Sequence, residues 1–299
     1  MNANSNAVPE NVFAKNLAAT HPFYWSVRRE LWEYRSIYLA PLIVAGVSLF
    51  GFLVATMGRA LATSDLMKRE AVLTEPYHFV EAAIMGAAVI VQLFYCLAAL
   101  HDERRDRSIL FWKSLPVSDA TVVLSKALIP FVVLPMVAFT FIVTTQFIML
   151  LAGSLAAAGS GLSVAGLWNT VSPWQRWAGL LYHLVTVHML WYAPIYAWLL
   201  FISGWARRAP LLWATLPLLA VGVLEKFAFN TMHFAELIGE RFTGGMEAIP
   251  AANSQMPYDP GMHATLGRFL MTPGLWAGLV LAAIFLFGAS RLRRSQGPI

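Results

Sequence analysis

The chain has 299 residues, of which 58% are hydrophobic and only 12% are charged, and its mean hydropathy is +0.61. Because a soluble globular protein carries roughly a quarter charged residues, this composition excludes the soluble classes and predicts an all-α polytopic membrane protein whose apolar helices face lipid. The net charge of +5 reflects basic residues near the membrane surface, so we expect no nucleic-acid binding.

The first predicted element is an amphipathic helix over residues 20–36. Thr20 can cap this helix, and Pro22 suits its first turn. Apolar and aromatic side chains gather on one side of the helix, whereas Arg28 and Arg29 lie elsewhere. Since the helix leads directly into an apolar run, we expect it to lie in the membrane interface. A simple anchor without a partner is the alternative for this segment.

Six apolar runs are long enough to cross about 30 Å of hydrocarbon at about 1.5 Å per residue. They cover residues 37–57, 79–100, 122–151, 177–203, 210–229 and 273–290. Pro130 and Pro135 lie in the third run. We expect a kink there rather than a break, because neighbouring helices can satisfy the freed carbonyl groups. The sequence therefore predicts a single transmembrane domain over residues 1–299 with six spans.

The basic residues predict how the chain crosses the membrane. With six spans, fourteen of the 21 Lys and Arg residues fall on the side that holds both ends of the chain. Basic residues next to spans stay in the cytoplasm, so we expect both termini to be cytoplasmic. The longest segment on the other side, residues 230–272, is then extracytoplasmic. Its glycines and prolines predict irregular chain with short helices, such as one over 234–242, and the segment is suited to a lid.

The segment between the second and third runs, residues 101–121, differs from an ordinary connector. Six consecutive charged residues precede an apolar cluster at 109–112, and Pro116 follows it. We predict a short helix here, with aromatic side chains inside a charged rim, which is typical of a docking element. In the alternative interpretation, Phe111 and Trp112 dip into the bilayer as membrane anchors.

Motifs for catalysis are missing from the sequence. No Gly-Lys dipeptide occurs, so there is no phosphate-binding loop of the GxxxxGK[ST] kind, and neither HExxH nor GxSxG occurs. His183 and His188 lie on one predicted span. Five positions apart on an α-helix, they diverge by about 140°, so we expect no metal site. We also expect that the chain is not an enzyme.

The run Glu-Arg-Arg-x-x-Ser-Ile-Leu-x-x-x-x-Leu-Pro-Val-Ser, from Glu103 to Ser118, resembles the ABC type-2 exporter permease family, as do the six spans and the amphipathic helix. Many relatives have Gly-Thr before the short helix, where this chain has Arg107-Ser108. The resemblance implies a permease subunit of a bacterial inner membrane, paired with a second permease chain. A separate ATP-binding cassette ATPase subunit would hold ATP and Mg²⁺, and this chain would hold no cofactor.

The resemblance also implies that residues 101–121 carry a coupling helix, which docks into a groove on the ATPase. The residues expected at that contact are Glu103, Arg104, Arg105, Asp106, Arg107, Ser108, Ile109, Leu110, Phe111, Trp112, Lys113, Leu115 and Pro116. The substrate is not specified, and lipids, peptides and hydrophobic drugs all suit an apolar pathway. Two other classes stay open. One is an ion-gradient-driven secondary transporter, which needs inverted repeats or interrupted spans with charges at the midplane, and the other is a membrane anchor or assembly subunit.

Overall fold

The computed structural model describes residues 22–59, 66–114, 117–159, 163–242 and 262–299. Within these ranges the regular structure is entirely helical, which confirms the all-α prediction. The elements, numbered in chain order, are α1 Pro22–Glu33, α2 Ser36–Arg59, α3 Leu66–Ala98, α4 His101–Arg105, α5 Ile109–Lys113, α6 Asp119–Leu128, π1 Ile129–Val133, α7 Leu134–Gly159, α8 Val164–Val171, α9 Pro173–His183, π2 Leu184–Trp191, α10 Ala193–Trp205, α11 Pro210–Phe229, α12 His233–Phe242, α13 Met262–Met271 and α14 Pro273–Ser295.

Several of these helices have the length and composition that a membrane span requires. In the described ranges, five helices qualify by length and hydropathy, and the number rises to six if a bent helix pair is one span. The longest is the continuous helix Asp119–Gly159, with 41 residues. A helix of about 20 apolar residues already crosses the hydrocarbon layer, so this one extends well beyond it. The prediction that several apolar helices are long enough to span a membrane is therefore confirmed.

The third predicted span contains a π-helical turn at its two prolines. In π1 the Leu134 N–H donates to the Ile129 carbonyl, five residues earlier. The next donor in this register would be Pro135, which has no N–H. The Pro130 carbonyl therefore needs another donor, and the buried side chain of Gln92 on α3 supplies it. As expected, a neighbouring helix satisfies the carbonyl that a proline leaves free.

The fourth predicted span is interrupted. The helix Val164–Trp191 and α10 are bent by 47° at the break between them. Within π2, hydrogen bonds join residues i and i+5, so side chains five positions apart lie on one side of the helix. The rings of His183 and His188 are accordingly neighbours, with centroids 5.6 Å apart. The α-helical geometry that predicted their divergence is wrong for this segment.

The buried core follows the long helices. α2 packs against α3 and α7, and α10 packs along α14. Core residues from these helices include Ile37, Ile84, Ile142, Leu150 and Leu200. By contrast, α11 lies at the edge of the bundle, where Ala214 is its only buried residue. The apolar surface of α11 is suited to contact with lipid.

Residues 230–272 are described only in part. The short helix predicted over 234–242 is confirmed as α12, and residues 243–261 lie outside the described ranges. Arg241 of α12 reaches back to the bundle, where it donates to the carbonyls of Trp191 and Gly274. Its guanidinium also lies 4.3 Å from the Trp191 ring centroid. This end of α12 is therefore attached to the end of π2 and the start of α14.

Candidate functional site: a buried ion cluster

Six charged side chains close one end of the bundle, where α3 and α10 end and α6 begins. We call them the ion cluster, and they are Arg29, Glu30, Glu103, Asp119, Lys126 and Arg293. They come from four helices: α1, α4, α6 and α14. Their three positive and three negative charges balance.

Amphipathic α1 carries Glu30 into the protein. Val27 and Leu31, on the same side of this helix, pack against the core. Glu30 is the one residue of α1 that is fully buried. The helix therefore lies on the bundle with a carboxylate, not only apolar side chains, on its inner face.

Lys126 lies at the centre of the ion cluster. Its Nζ is 2.8 Å from Glu30 Oε1 and 3.2 Å from Glu103 Oε1. Arg29 Nη2 bridges the same two carboxylates, at 2.6 and 2.7 Å respectively. Two cations thus hold the carboxylates of α1 and α4 together, although Glu30 and Glu103 are far apart in the sequence.

Arg293 attaches the last helix to the same cluster. Its Nη2 lies 3.4 Å from Glu103 Oε2, and its Nη1 donates to Asp119 at the start of α6. On the opposite side, the Tyr95 hydroxyl of α3 donates to Glu30 Oε2 at 2.9 Å. The second oxygen of each central carboxylate is therefore also satisfied.

Burial makes this balance necessary. Glu30, Glu103, Lys126 and Arg293 are at most 4% exposed. A buried ion costs several kcal/mol unless it is paired and hydrogen-bonded, and removing one partner typically costs about 3–5 kcal/mol. Burial acts to lower the pKa of Arg29, but the carboxylates of Glu30 and Glu103 outweigh it and raise that pKa above its ordinary value. This guanidinium therefore stays charged.

The turn between α3 and α4 is fixed to α10. The backbone N–H groups of residues 100 and 101 both donate to Ser203 Oγ, at 3.0 and 2.9 Å. Arg104 Nη1 donates to the Gly204 carbonyl at 2.6 Å, and its Nε donates to the Gly297 carbonyl at 3.3 Å. As a result, α4 cannot shift without disturbing α10 and the segment that follows α14.

The predicted ATPase-contact residues fall into three groups. Glu103, Arg104 and Ile109 are buried against the rest of this chain, so their side chains do not face a partner in this arrangement. Leu115 and Pro116 lie outside the described residues. The accessible members are Arg105, Asp106, Arg107, Leu110, Phe111 and Lys113, with Ser108 and Trp112 half-buried.

The short helix α5 presents an apolar surface, which we call the α5 surface and define as Leu110 and Phe111. These side chains are 58% and 61% exposed, whereas neighbouring Ile109 is 1% exposed. Trp112 packs edge-to-face on Phe111, with ring centroids 4.9 Å apart. The Arg29 guanidinium lies 3.9 Å from the centroid of the same Trp112 ring. Trp112 therefore joins the α5 surface to the ion cluster.

Of the ion cluster, only Glu103 was predicted from the sequence to be a site residue. Lys126 and Arg293 were counted among the basic residues that predict topology, and Lys126 also follows the Glu103–Ser118 run at the start of the third span. One signal was available, because Lys126 follows several apolar residues of its span, and a charge at such a position requires a partner. Nothing in the local sequence indicates that the partner is Glu30, 96 residues away.

Two further polar side chains along the spans, Gln146 and Glu225, are paired within the chain. Gln146 accepts a hydrogen bond from Trp177 Nε1 at 2.8 Å and donates to the Tyr77 carbonyl at 3.2 Å. Glu225, at the end of α11, accepts the backbone N–H groups of His233 and Phe234, both at 2.9 Å. Gln146 therefore links α7 to α3 and α9, and Glu225 caps the start of α12.

Comparisons of the chain with protein-family models, with curated proteins and with solved structures found no match. The fold defines an all-helical protein with membrane-length helices. Within that class, the two features that bear on function are the ion cluster, which is buried and balanced, and the α5 surface, which is exposed and apolar.

Proposed function

We propose that this chain is the membrane-spanning permease subunit of an ATP-driven exporter, and that α5 docks on a separate ATPase subunit. The observation that carries the proposal is the contact that links the exposed α5 surface to the ion cluster: Trp112 packs on Phe111 and lies against the Arg29 guanidinium, which pairs with Glu103. Exposed aromatic residues within a charged rim are typical of protein–protein contacts. The Glu103–Ser118 run, which resembles that of exporter permeases, adds support.

The ion cluster suggests how such docking moves the membrane helices. In this proposal, ATP draws two ATPase subunits together and pulls α5 with them. Glu103 lies on α4, just before α5, and it contacts α1 through Arg29, α6 through Lys126 and α14 through Arg293. Because buried charges separate only at a cost of several kcal/mol, these helix ends move as one unit. The spans then rearrange between inward-facing and outward-facing states.

The proposed orientation puts the ion cluster and both termini on the cytoplasmic side. Basic residues are concentrated at that end, as they are in cytoplasmic segments. The exposed Trp25 and Trp32 of α1 suit the headgroup layer, and the Arg28 guanidinium lies 5.1 and 4.7 Å from their ring centroids. In this arrangement α1 lies along the membrane surface and six spans follow. A second permease chain completes the pathway.

The docking proposal is tested by truncating the α5 surface alone. Leu110→Ala/Phe111→Ala leaves every member of the ion cluster in place. Truncating an interface hot spot costs about 2 kcal/mol or more per residue, so ATPase binding should weaken well over tenfold, since about 1.4 kcal/mol is tenfold. The measurement is the affinity of the permease in lipid nanodiscs for a candidate ATP-binding cassette ATPase from the same genome, together with permease-stimulated ATP hydrolysis.

A matched control removes the same side chains from a different helix. Leu224 and Phe227 on α11 are 66% and 86% exposed, and Leu224→Ala/Phe227→Ala should leave ATPase binding unchanged. If the α5 variant also binds and stimulates the ATPase normally, α5 is not the docking element. Loss of membrane expression with normal ATPase binding would instead identify Phe111 as a bilayer anchor.

The interrupted fourth span favours a second candidate function, gradient-driven transport. Broken spans with ionisable groups near the break are typical of secondary transporters. Here the 47° bend follows π2, which brings His183 and His188 together. The test is proton flux into liposomes that contain the chain alone, followed with a pH-sensitive dye. Flux that is lost in His188→Gln would favour this function, whereas absence of flux would favour the ATP-driven exporter.

A further inference from the structure

A groove of about 620 Å³ lies between α10 and the last turns of α14. Phe201, Gly288 and Leu292 form its apolar wall, and the remaining lining residues are Arg291, Arg294 and Ser295. Gly288 permits the close approach of the two helices, since a Cβ at that position would lie 2.9 Å from Phe201 Cε2. The close contact between α10 and α14 thus forms the groove, which lies at the same end of the bundle as the ion cluster.

Arg291 and Arg294 present their charges on one side of α14. They are three residues apart and therefore neighbours on the helix surface, whereas Arg293 between them turns into the ion cluster. Both are exposed. Among the ion pairs of the described residues, none includes Arg291 or Arg294. Lys113 adds a third cation nearby, with its Nζ 3.4 Å from the Arg294 carbonyl oxygen.

The residues around the groove indicate that it lies at the depth of the lipid headgroups. Trp205, one turn beyond Phe201 on α10, packs edge-to-face on Trp213 with ring centroids 4.9 Å apart. Such tryptophan pairs are typical of the membrane–water boundary. Along α14 towards the middle of the bundle, Ile284 and Phe287 are 58% and 60% exposed. An apolar surface therefore continues from the groove into the layer that lipid chains occupy.

We propose that this groove binds an anionic phospholipid, with its phosphate at Arg291 and Arg294 and its acyl chains along Phe287 and Ile284. Basic pockets beside membrane helices bind such headgroups. The two guanidinium groups match a phosphate in charge and hydrogen bonding. A soluble phosphate would use only the guanidinium groups and leave the apolar wall uncovered, so the continuous apolar surface favours a lipid. The inference depends on membrane insertion and not on ATPase docking.

The test is native mass spectrometry of the full chain in detergent, with phosphatidylglycerol and phosphatidylcholine of identical acyl chains at equal concentration. The wild-type chain should prefer phosphatidylglycerol by about tenfold or more, because each basic residue near an anionic lipid contributes roughly fivefold. Arg291→Gln/Arg294→Gln should abolish this preference, and Arg291→Lys/Arg294→Lys should keep most of it. Arg35→Gln/Arg208→Gln removes two exposed charges outside the groove lining and should leave the preference intact.

Three results would overturn the proposal. One is a phosphatidylglycerol preference that survives in Arg291→Gln/Arg294→Gln. Another is an equal loss in Arg35→Gln/Arg208→Gln, which would mean that overall charge attracts the lipid and the groove has no special part. The third is displacement of phosphatidylglycerol by millimolar glycerol 3-phosphate, which has no acyl chains and would identify the groove as a site for soluble phosphate.

Discussion

Lys126→Met tests whether the ion cluster holds the helix ends together. Methionine nearly matches the length of lysine but has no charge, so the buried cluster would keep three anions with only two cations. Lys126 is fully buried, and removal of one partner from such a set costs about 3–5 kcal/mol. In a domain of roughly 150–250 residues, about 1 kcal/mol moves the melting temperature by about 2–4 °C. We therefore expect the apparent melting temperature to fall by roughly 10 °C.

The assay is the loss of the monodisperse chromatographic peak after heating in detergent. Lys126→Met/Glu30→Gln restores the charge balance, and the new amide oxygen can still accept from Tyr95, so this double variant should recover at least half of the loss. Arg105→Met removes a cation whose side chain is 63% exposed and should melt like the wild-type chain. If Lys126→Met melts within about 2 °C of wild type, or if adding Glu30→Gln destabilises it further, the ion cluster does not hold the helix ends together.

Three more outcomes are expected. Arg107 has a left-handed backbone (φ 59), so Arg107→Gly should stabilise the chain by about 1 kcal/mol. Arg107→Ala should give no such gain in the same melting assay. Equal gains in the two variants would show that the backbone conformation is not the cause. Gln92→Met should leave the Pro130 carbonyl unpaired and lower stability by about 1–3 kcal/mol, and an unchanged melting temperature would mean that water or another donor replaces the amide. Reporters inserted near residue 105 and near residue 244 should lie in the cytoplasm and outside it, respectively, and a reversed pair of signals would reject the proposed topology.

The long helices could be predicted from sequence because the thickness of a bilayer sets the length of an apolar run. The two π-helical segments could not, because their cause is a shift in hydrogen-bond register. In π1 that shift depends on Pro135, which lacks an N–H, and on the amide of Gln92 in another helix. In π2 it reverses the expected relation between His183 and His188. A prediction from helical periodicity assumes the hydrogen-bond register of an α-helix throughout, so it places side chains wrongly where that register changes.

The short helix α5 was predictable in outline from the sequence, and the ion cluster was not. A charged stretch followed by aromatic residues is visible within one short window of sequence, and α5 lies there. The ion cluster instead depends on pairs such as Glu103 with Arg293, which are 190 residues apart. Arg104 and Ile109 were also expected at the partner contact, because the sequence does not reveal that both side chains are buried and that Arg104 donates to the Gly204 carbonyl of α10.

The most direct measurement of the proposed function is photo-crosslinking in intact membranes from position 111. A benzophenone amino acid there should crosslink, in an ATP-dependent manner, to a chain that carries the phosphate-binding loop of an ATPase. The same probe at Trp32, 65% exposed on α1, should label lipid and give no such product. If position 111 labels only lipid, or labels the ATPase no more than position 32 does, α5 is not the coupling element and the exporter proposal loses its main support.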